Sequence, residues 1–134
     1  MIELAQHGTL LSALLTVGGL MLVQILVSDF AGIRARHLPG SPVVVDHASF
    51  HFRATRALAN TNESIAVFIL LAVTGVLAAA PAALGYWAWA YAGGRLLHTL
   101  CYYANLKAAR SISFGVALLA LLGMLAVNVH TLLG

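Results

Sequence analysis

No basic residue precedes Arg34 and none follows Arg110. The stretches outside those two arginines are apolar over a length with a physical meaning. A helix needs about 20 apolar residues to cross the hydrocarbon core of a bilayer. The chain meets that condition from about residue 9 to 28 and again from about 111 to 133. Two further segments, about 64–84 and 83–106, lie between them and meet at Pro81. A chain that is 61% hydrophobic and 8% charged cannot cover a water-facing surface, where about 25% charged residues is usual. The expectation is one all-α integral membrane domain over residues 1–134, a four-transmembrane-helix antiparallel bundle. Short connections make successive helices antiparallel.

Sidedness follows from the basic residues. The linker over about 29–55 carries Arg34, Arg36 and Arg53, and the linker at 107–110 carries Lys107 and Arg110. With four spans these linkers share one side of the membrane, and the positive-inside rule makes that side cytoplasmic. Both termini of this multi-pass protein are then expected to be non-cytoplasmic. The first apolar segment reads as a span and not as a signal peptide, because Glu3 stands where a basic n-region belongs and Arg34 and Arg36 follow as a stop. Nucleic acid is an unsuitable partner, since no soluble module carries the net charge of +3 on one face. The lone cysteine, Cys101, lies in an apolar run and reads as a buried thiol.

Polar residues inside the spans are the informative ones. Arg56, Asn60 and Glu63 have i, i+4, i+7 spacing and share a helix face, which Arg53 extends. Arg95, His98 and Tyr102 form a second stripe on the third span, with Tyr91 one turn earlier. Counted from Leu106, Arg95 is roughly 16 Å deep at 1.5 Å per residue. A charge near the centre of a span costs about 2.5–3.5 kcal/mol on insertion scales, so Arg95 must face a partner or a wet cavity. Glu63 is the expected partner of Arg95 or of Arg56. Arg34 ends the first span and Arg110 opens the fourth, both at the same leaflet. Five arginines and a histidine therefore face one or two carboxylates. Such a surplus of cationic donors suits an anionic ligand, although the stripes could also serve only to pin helix packing.

These stripes carry a resemblance. The stretch "RALANTNE" is similar to the R-x3-N-x2-E signature on the second helix of the MAPEG family, the membrane-associated proteins in eicosanoid and glutathione metabolism. "RLLHTLCYY" followed by "RSISF" resembles that family's third helix and the start of its fourth, and "IRAR" resembles the end of its first. The nearest pattern is that of a microsomal glutathione transferase-like, bacterial-type member. Leu58 stands where the prostaglandin-synthase branch has a histidine, which points away from that isomerase.

The resemblance implies a homotrimer that binds glutathione between neighbouring subunits in the cytoplasmic half of the membrane. It implies glutathione contacts from Arg34, Arg56, Asn60, Glu63, Arg95, His98, Tyr102 and Ser111, and a catalytic role for Arg110, which would hold the sulfur as thiolate. Glutathione as cosubstrate and a lipophilic electrophile from the bilayer would be the reactants of a transferase or peroxidase. The alternative is a non-catalytic MAPEG-like protein that binds a lipid or a protein partner. A standalone transporter fits four continuous spans poorly.

Other features have plainer readings. His37, His47 and His51 with Asp46 could approach a metal, but exposed linker histidines are ordinarily surface residues, and no metal is expected. The cluster "YWAWAY" at Tyr86–Tyr91 reads as an interfacial aromatic belt. Gly93, Gly94, Gly115 and Gly123 read as points of close helix approach.

Overall fold

The computed structural model describes residues 7–134. Among the described residues four helices follow one another: α1 (Gly8–Arg34), α2 (Phe50–Leu77), α3 (Ala83–Tyr103) and α4 (Lys107–Leu133). The chain between α1 and α2 is held by local bonds. Asp46 Oδ1 accepts from the Ala48 amide at 2.9 Å, and the Ser49 hydroxyl caps α2 by accepting from the Phe52 amide. Residues 107–110, expected as a linker, form the first turn of α4, whose ladder begins with the Arg110 amide donating to Leu106 O.

Three helices end in the same way. Arg36, Ala79 and Asn105 adopt positive φ of 52°, 52° and 59° just after α1, α2 and α3. The next residue then donates back into the helix, as His37 does to Gly32 O, Ala80 to Gly75 O and Leu106 to Cys101 O. These are Schellman closures, which satisfy carbonyls that a helix end leaves open. Asn105 tolerates the left-handed conformation through its short polar side chain, whereas Ala79 does not. The last closure leaves little chain between α3 and α4. It also ends α3 at Tyr103, so Arg95 sits roughly 12 Å from that end at 1.5 Å per residue, shallower than a helix reaching Leu106 would make it.

Side-chain contacts give the directions. Ser64 meets Tyr91, Asn60 meets Arg95 and Arg53 reaches Tyr103 O, so α2 and α3 are antiparallel. Ser12 meets Trp89 and Gln24 meets Thr99, so α1 and α3 are parallel. A Cβ on Gly94 would meet the Ala117 backbone nitrogen at 2.9 Å, and one on Gly123 would strike Trp87, so α3 and α4 are antiparallel and in close contact. The result is an up-down-up-down bundle in which α3 packs most extensively on α4 and also touches α1 and α2.

The core is built from small residues with a few large ones between them. Ala13, Ala72, Ala88, Ala117 and Ala120 are buried, and Phe68 stacks on Tyr91 with ring centroids 4.4 Å apart. The outer face is the reverse of a soluble protein: Leu15, Leu26, Phe30, Ile33, Leu70, Leu119 and Leu132 all stand exposed. Asn128 is buried and its Nδ2 donates to Leu71 O at 2.9 Å. Apolar groups outside and polar groups inside suit a hydrocarbon solvent, where packing and interhelical hydrogen bonds hold helices together.

Among the described residues three helices, α1, α2 and α4, are long and apolar enough to cross a membrane. The 21-residue α3 is of sufficient length, roughly 31 Å, but it carries Arg95, His98 and its aromatic residues and is less apolar as a whole. Its polar groups are turned inward, since Arg95, His98, Thr99 and Tyr102 are all buried.

Ala79 is exposed, so its methyl contributes no packing. The left-handed conformation costs a non-glycine residue about 1–2 kcal/mol, against about 0.5–1 kcal/mol for the extra unfolded-state freedom of glycine. Ala79→Gly is therefore expected to raise thermal stability in detergent by about 0.5–1 kcal/mol, read from the unfolding midpoint.

Candidate functional site

One groove gathers residues from both stripes and from the start of the fourth helix. Asn60 from α2, His98 and Tyr102 from α3, and Arg110, Ser111 and Phe114 from α4 line an open space of about 250 Å³. It lies towards the end of the bundle that holds the α3–α4 turn. The tight turn makes the juxtaposition possible, because it folds the first turn of α4 back beside the last turns of α3. The Arg110 guanidinium carbon stands 4.5 Å from the centre of the Tyr102 ring. Tyr102 in turn meets His98 edge-on at 5.0 Å, and His98 faces Phe114 at 6.1 Å. A cation over an aromatic face is attracted by the ring quadrupole, so Tyr102 acts as a platform for Arg110.

Glu63 is exposed beside this groove and accepts from Asn60 Nδ2 at 3.3 Å. The expected Glu63–Arg95 or Glu63–Arg56 ion pair does not form among the described residues. Arg95 points elsewhere: its Nη2 donates to Asn60 Oδ1 at 3.0 Å and to Thr61 Oγ1 at 3.2 Å. With 1% of its surface exposed, Arg95 lies behind the groove and Asn60 stands in front of it. Neutral amide and hydroxyl oxygens thus take the place of a carboxylate partner.

Arg34, Arg56 and Arg110 have no carboxylate and no hydrogen-bond partner among the described residues. Arg56 is half-buried on α2, one turn from Asn60, while Arg34 is exposed at the end of α1 and does not line the groove. Arg53 departs from the stripe that its spacing suggested. Its Nη1 donates to His47 O and Ala48 O at 2.7 and 2.8 Å, and its Nη2 to Tyr103 O at 3.4 Å. Its charge therefore serves carbonyls of the linker and of the α3 C-terminus, where a cation is favoured. The linker histidines separate: His37 packs on His51 at 4.7 Å, and His47 meets the edge of Phe52. Among the described residues no three His, Cys, Asp or Glu side chains converge as metal ligands.

Sequence reasoning did not single out Gln24, Thr61, Thr99 or Phe114. The first three form a buried cluster behind Arg95, and Phe114 lines the groove. Gln24 had a visible signal, an amide inside the apolar run "MLVQILV". Thr61, Thr99 and Phe114 lie inside the quoted stretches "RALANTNE", "RLLHTLCYY" and "RSISF", but no role was assigned to them, because threonine and phenylalanine are unremarkable by themselves in a membrane helix.

The fold and groove define a class: a small four-helix membrane bundle with cationic and aromatic groups gathered at one end of its polar interior. The family model for MAPEG proteins matches residues 9–130, nearly the whole chain. The chain belongs to the MAPEG family, which includes both glutathione-dependent transferases and non-catalytic members. No curated protein and no solved structure matches it.

Arg53 bridges the linker to α3 by three contacts, so its removal frees the linker without touching the groove. Arg53→Met is expected to make residues 37–49 severalfold more susceptible to limited proteolysis while the helical circular dichroism signal stays the same.

Proposed function

We propose that this protein binds glutathione in the groove between α2, α3 and α4 and activates its sulfur as a thiolate for attack on a lipophilic electrophile. The observation that carries this reading is the convergence of Asn60, His98, Tyr102, Arg110 and Ser111 on one groove, beside arginines that lack carboxylate partners. Glutathione presents two carboxylates, one ammonium and one thiol. Arg56 suits a carboxylate, Glu63 suits the ammonium, and the Asn60 amide N–H suits the carboxylate beside that ammonium. Arg34 stands outside the groove of its own chain. In a homotrimer it would reach the groove of the neighbouring subunit, so that each site is completed across an interface. Arg95 acts from behind, through Asn60.

Chemistry at the sulfur falls to Arg110. A free thiol of pKa about 8.5 is mostly protonated at neutral pH, and a nearby cation favours the thiolate. Lowering the pKa by about two units corresponds to about 2.7 kcal/mol of preference for the anion. The thiol proton leaves to water. The thiolate lone pair then forms a carbon–sulfur bond with the electrophile, which either loses its leaving group or takes up the charge and later a proton. Access from the bilayer between helices would suit an apolar second substrate, and the cationic end of the bundle would face the cytoplasm with both termini on the other side.

Thiolate difference absorbance on detergent-purified protein tests the proposal. Glutathione is expected to give a thiolate signal, and conjugation of an apolar aryl halide is expected to follow it. Arg110→Ala should abolish the signal and leave most of the binding; Glu63→Gln should weaken binding about tenfold by removing a charged acceptor. The active form is deprotonated, so the rate is constant above the lowered thiol pKa. Below about pH 6.5 it falls about tenfold per unit, and in Arg110→Ala the midpoint moves up towards about 8.5. Glutathione binding without a thiolate signal would leave a non-catalytic binding protein, and absence of binding would end the proposal.

A further inference from the structure

Behind the groove lies a set of hydrogen bonds that links α1, which contributes nothing to the groove lining, to Asn60, which does. Gln24 is fully buried, with 0% of its surface exposed. Its Nε2 donates to Thr61 Oγ1 at 3.0 Å and to Thr99 Oγ1 at 2.6 Å. Each threonine hydroxyl gives its single proton to the carbonyl four residues back, Thr61 to Ala57 O at 3.2 Å and Thr99 to Arg95 O at 2.8 Å. Both oxygens are therefore acceptors towards α1.

Thr61 Oγ1 has two lone pairs. Gln24 Nε2 takes one and Arg95 Nη2 takes the other, so the first donor restricts the direction from which the second can approach. The remaining proton of Arg95 Nη2 goes to Asn60 Oδ1 at 3.0 Å. That bond sets the Asn60 amide with its oxygen inward and its Nδ2 outward, where it meets Glu63 Oε2. Reversing the Asn60 amide would turn an NH2 against the guanidinium. Reversing the Gln24 amide would place its N–H groups where Gln24 Oε1 now has no partner. Two unmet donors are worse than one unmet acceptor in a dry interior. The direction of every bond from Gln24 to Glu63 is thus determined.

We propose that Gln24 is a positioning residue for the groove: acting through Thr61, it fixes the Arg95 guanidinium and so presents the Asn60 N–H groups, beside the Glu63 carboxylate, to an α-amino-acid end of the ligand. The pairing suits a zwitterion, with Glu63 for the ammonium and Asn60 Nδ2 for the carboxylate. The ligand named here rests on the glutathione reading above; the link from Gln24 to Asn60 does not. Arg110 is outside the chain of bonds, so thiolate formation on bound glutathione is independent of Gln24.

The test compares wild type, Gln24→Met, Thr61→Val, Thr61→Ser and the double variant Gln24→Met/Thr61→Val in detergent. The readouts are glutathione affinity by calorimetry, thiolate absorbance at saturating glutathione, and the Asn60 side-chain amide resonances without ligand. Gln24→Met is expected to weaken glutathione about tenfold, with unchanged thiolate signal per bound molecule and shifted Asn60 resonances. Thr61→Ser, which keeps the hydroxyl, should behave as wild type; Thr61→Val, which also removes an acceptor of Arg95, should weaken binding at least as much as Gln24→Met, and the double variant should be no worse than Thr61→Val alone. Wild-type affinity in folded Gln24→Met, or additive losses in the double variant, overturns the proposal. Should Gln24→Met not fold, Thr61→Val decides, and wild-type affinity there overturns it equally. If wild type does not bind glutathione, the functional reading fails by itself. The Asn60 resonances then decide: shifted in Gln24→Met and normal in Thr61→Ser, they uphold the link, and unmoved in Gln24→Met, they overturn it.

Discussion

A guanidinium that cannot lose its charge sits almost wholly inside a bundle whose outer surface is hydrocarbon-like. The structure must supply acceptors for it or carry a buried charge without partners, which is costly in a medium that has no water to offer. It supplies them at Nη2, with neutral oxygens from α2, Asn60 Oδ1 and Thr61 Oγ1, and leaves the buried Nε without a partner among the described residues. Thr61 then shares Gln24 with Thr99, which brings α1 and α3 to the same point. Three helices meet around one cation. The bond from Arg95 Nη2 to Asn60 Oδ1 also turns the Asn60 Nδ2 outward, towards Glu63, so burial of the charge and orientation of the Asn60 amide are linked.

The second constraint is the closure after α3. A left-handed residue at Asn105 lets the chain reverse within a few residues, and α4 starts at once with Lys107. The backbone contact of Gly94 with Ala117 holds the two helices close along their length. Together they carry Arg110 back over Tyr102. A longer connection would not hold that arginine over the Tyr102 ring.

Much of this was legible in the sequence, for identifiable reasons. Membrane-length apolar runs specify helices because backbone groups in lipid have no other partners. The 3.6-residue repeat aligned Asn60 with Glu63, and His98 with Tyr102, on single faces. Depth could be counted from the ends of the spans, and so the gathering of polar groups at one end was visible. The family pattern covered nearly the whole chain. Legibility failed where the sequence leaves a choice of partner. Arg53 has the spacing of the stripe, yet the linker carbonyls of His47 and Ala48 lie nearer to it than the groove does. Glu63 is the obvious mate for Arg95 by charge, yet one turn of α2 separates its carboxylate from the buried guanidinium, and Asn60 stands between them.

By itself the sequence determined the solvent, the helix count, the alternation of directions and the end of the bundle where polar chemistry collects. Those follow from hydropathy, length and helical periodicity, which are properties of a single chain segment. Only the tertiary structure decided that Arg95 is buried against Asn60 and Thr61 and not paired with Glu63, that Arg53 binds the linker carbonyls, and that a chain of hydrogen bonds runs from Gln24 on α1 through Thr61 and Arg95 to Asn60 on α2. Those outcomes depend on which acceptor lies within about 3 Å of a given donor, and that distance is set by how helices cross, which no single segment encodes.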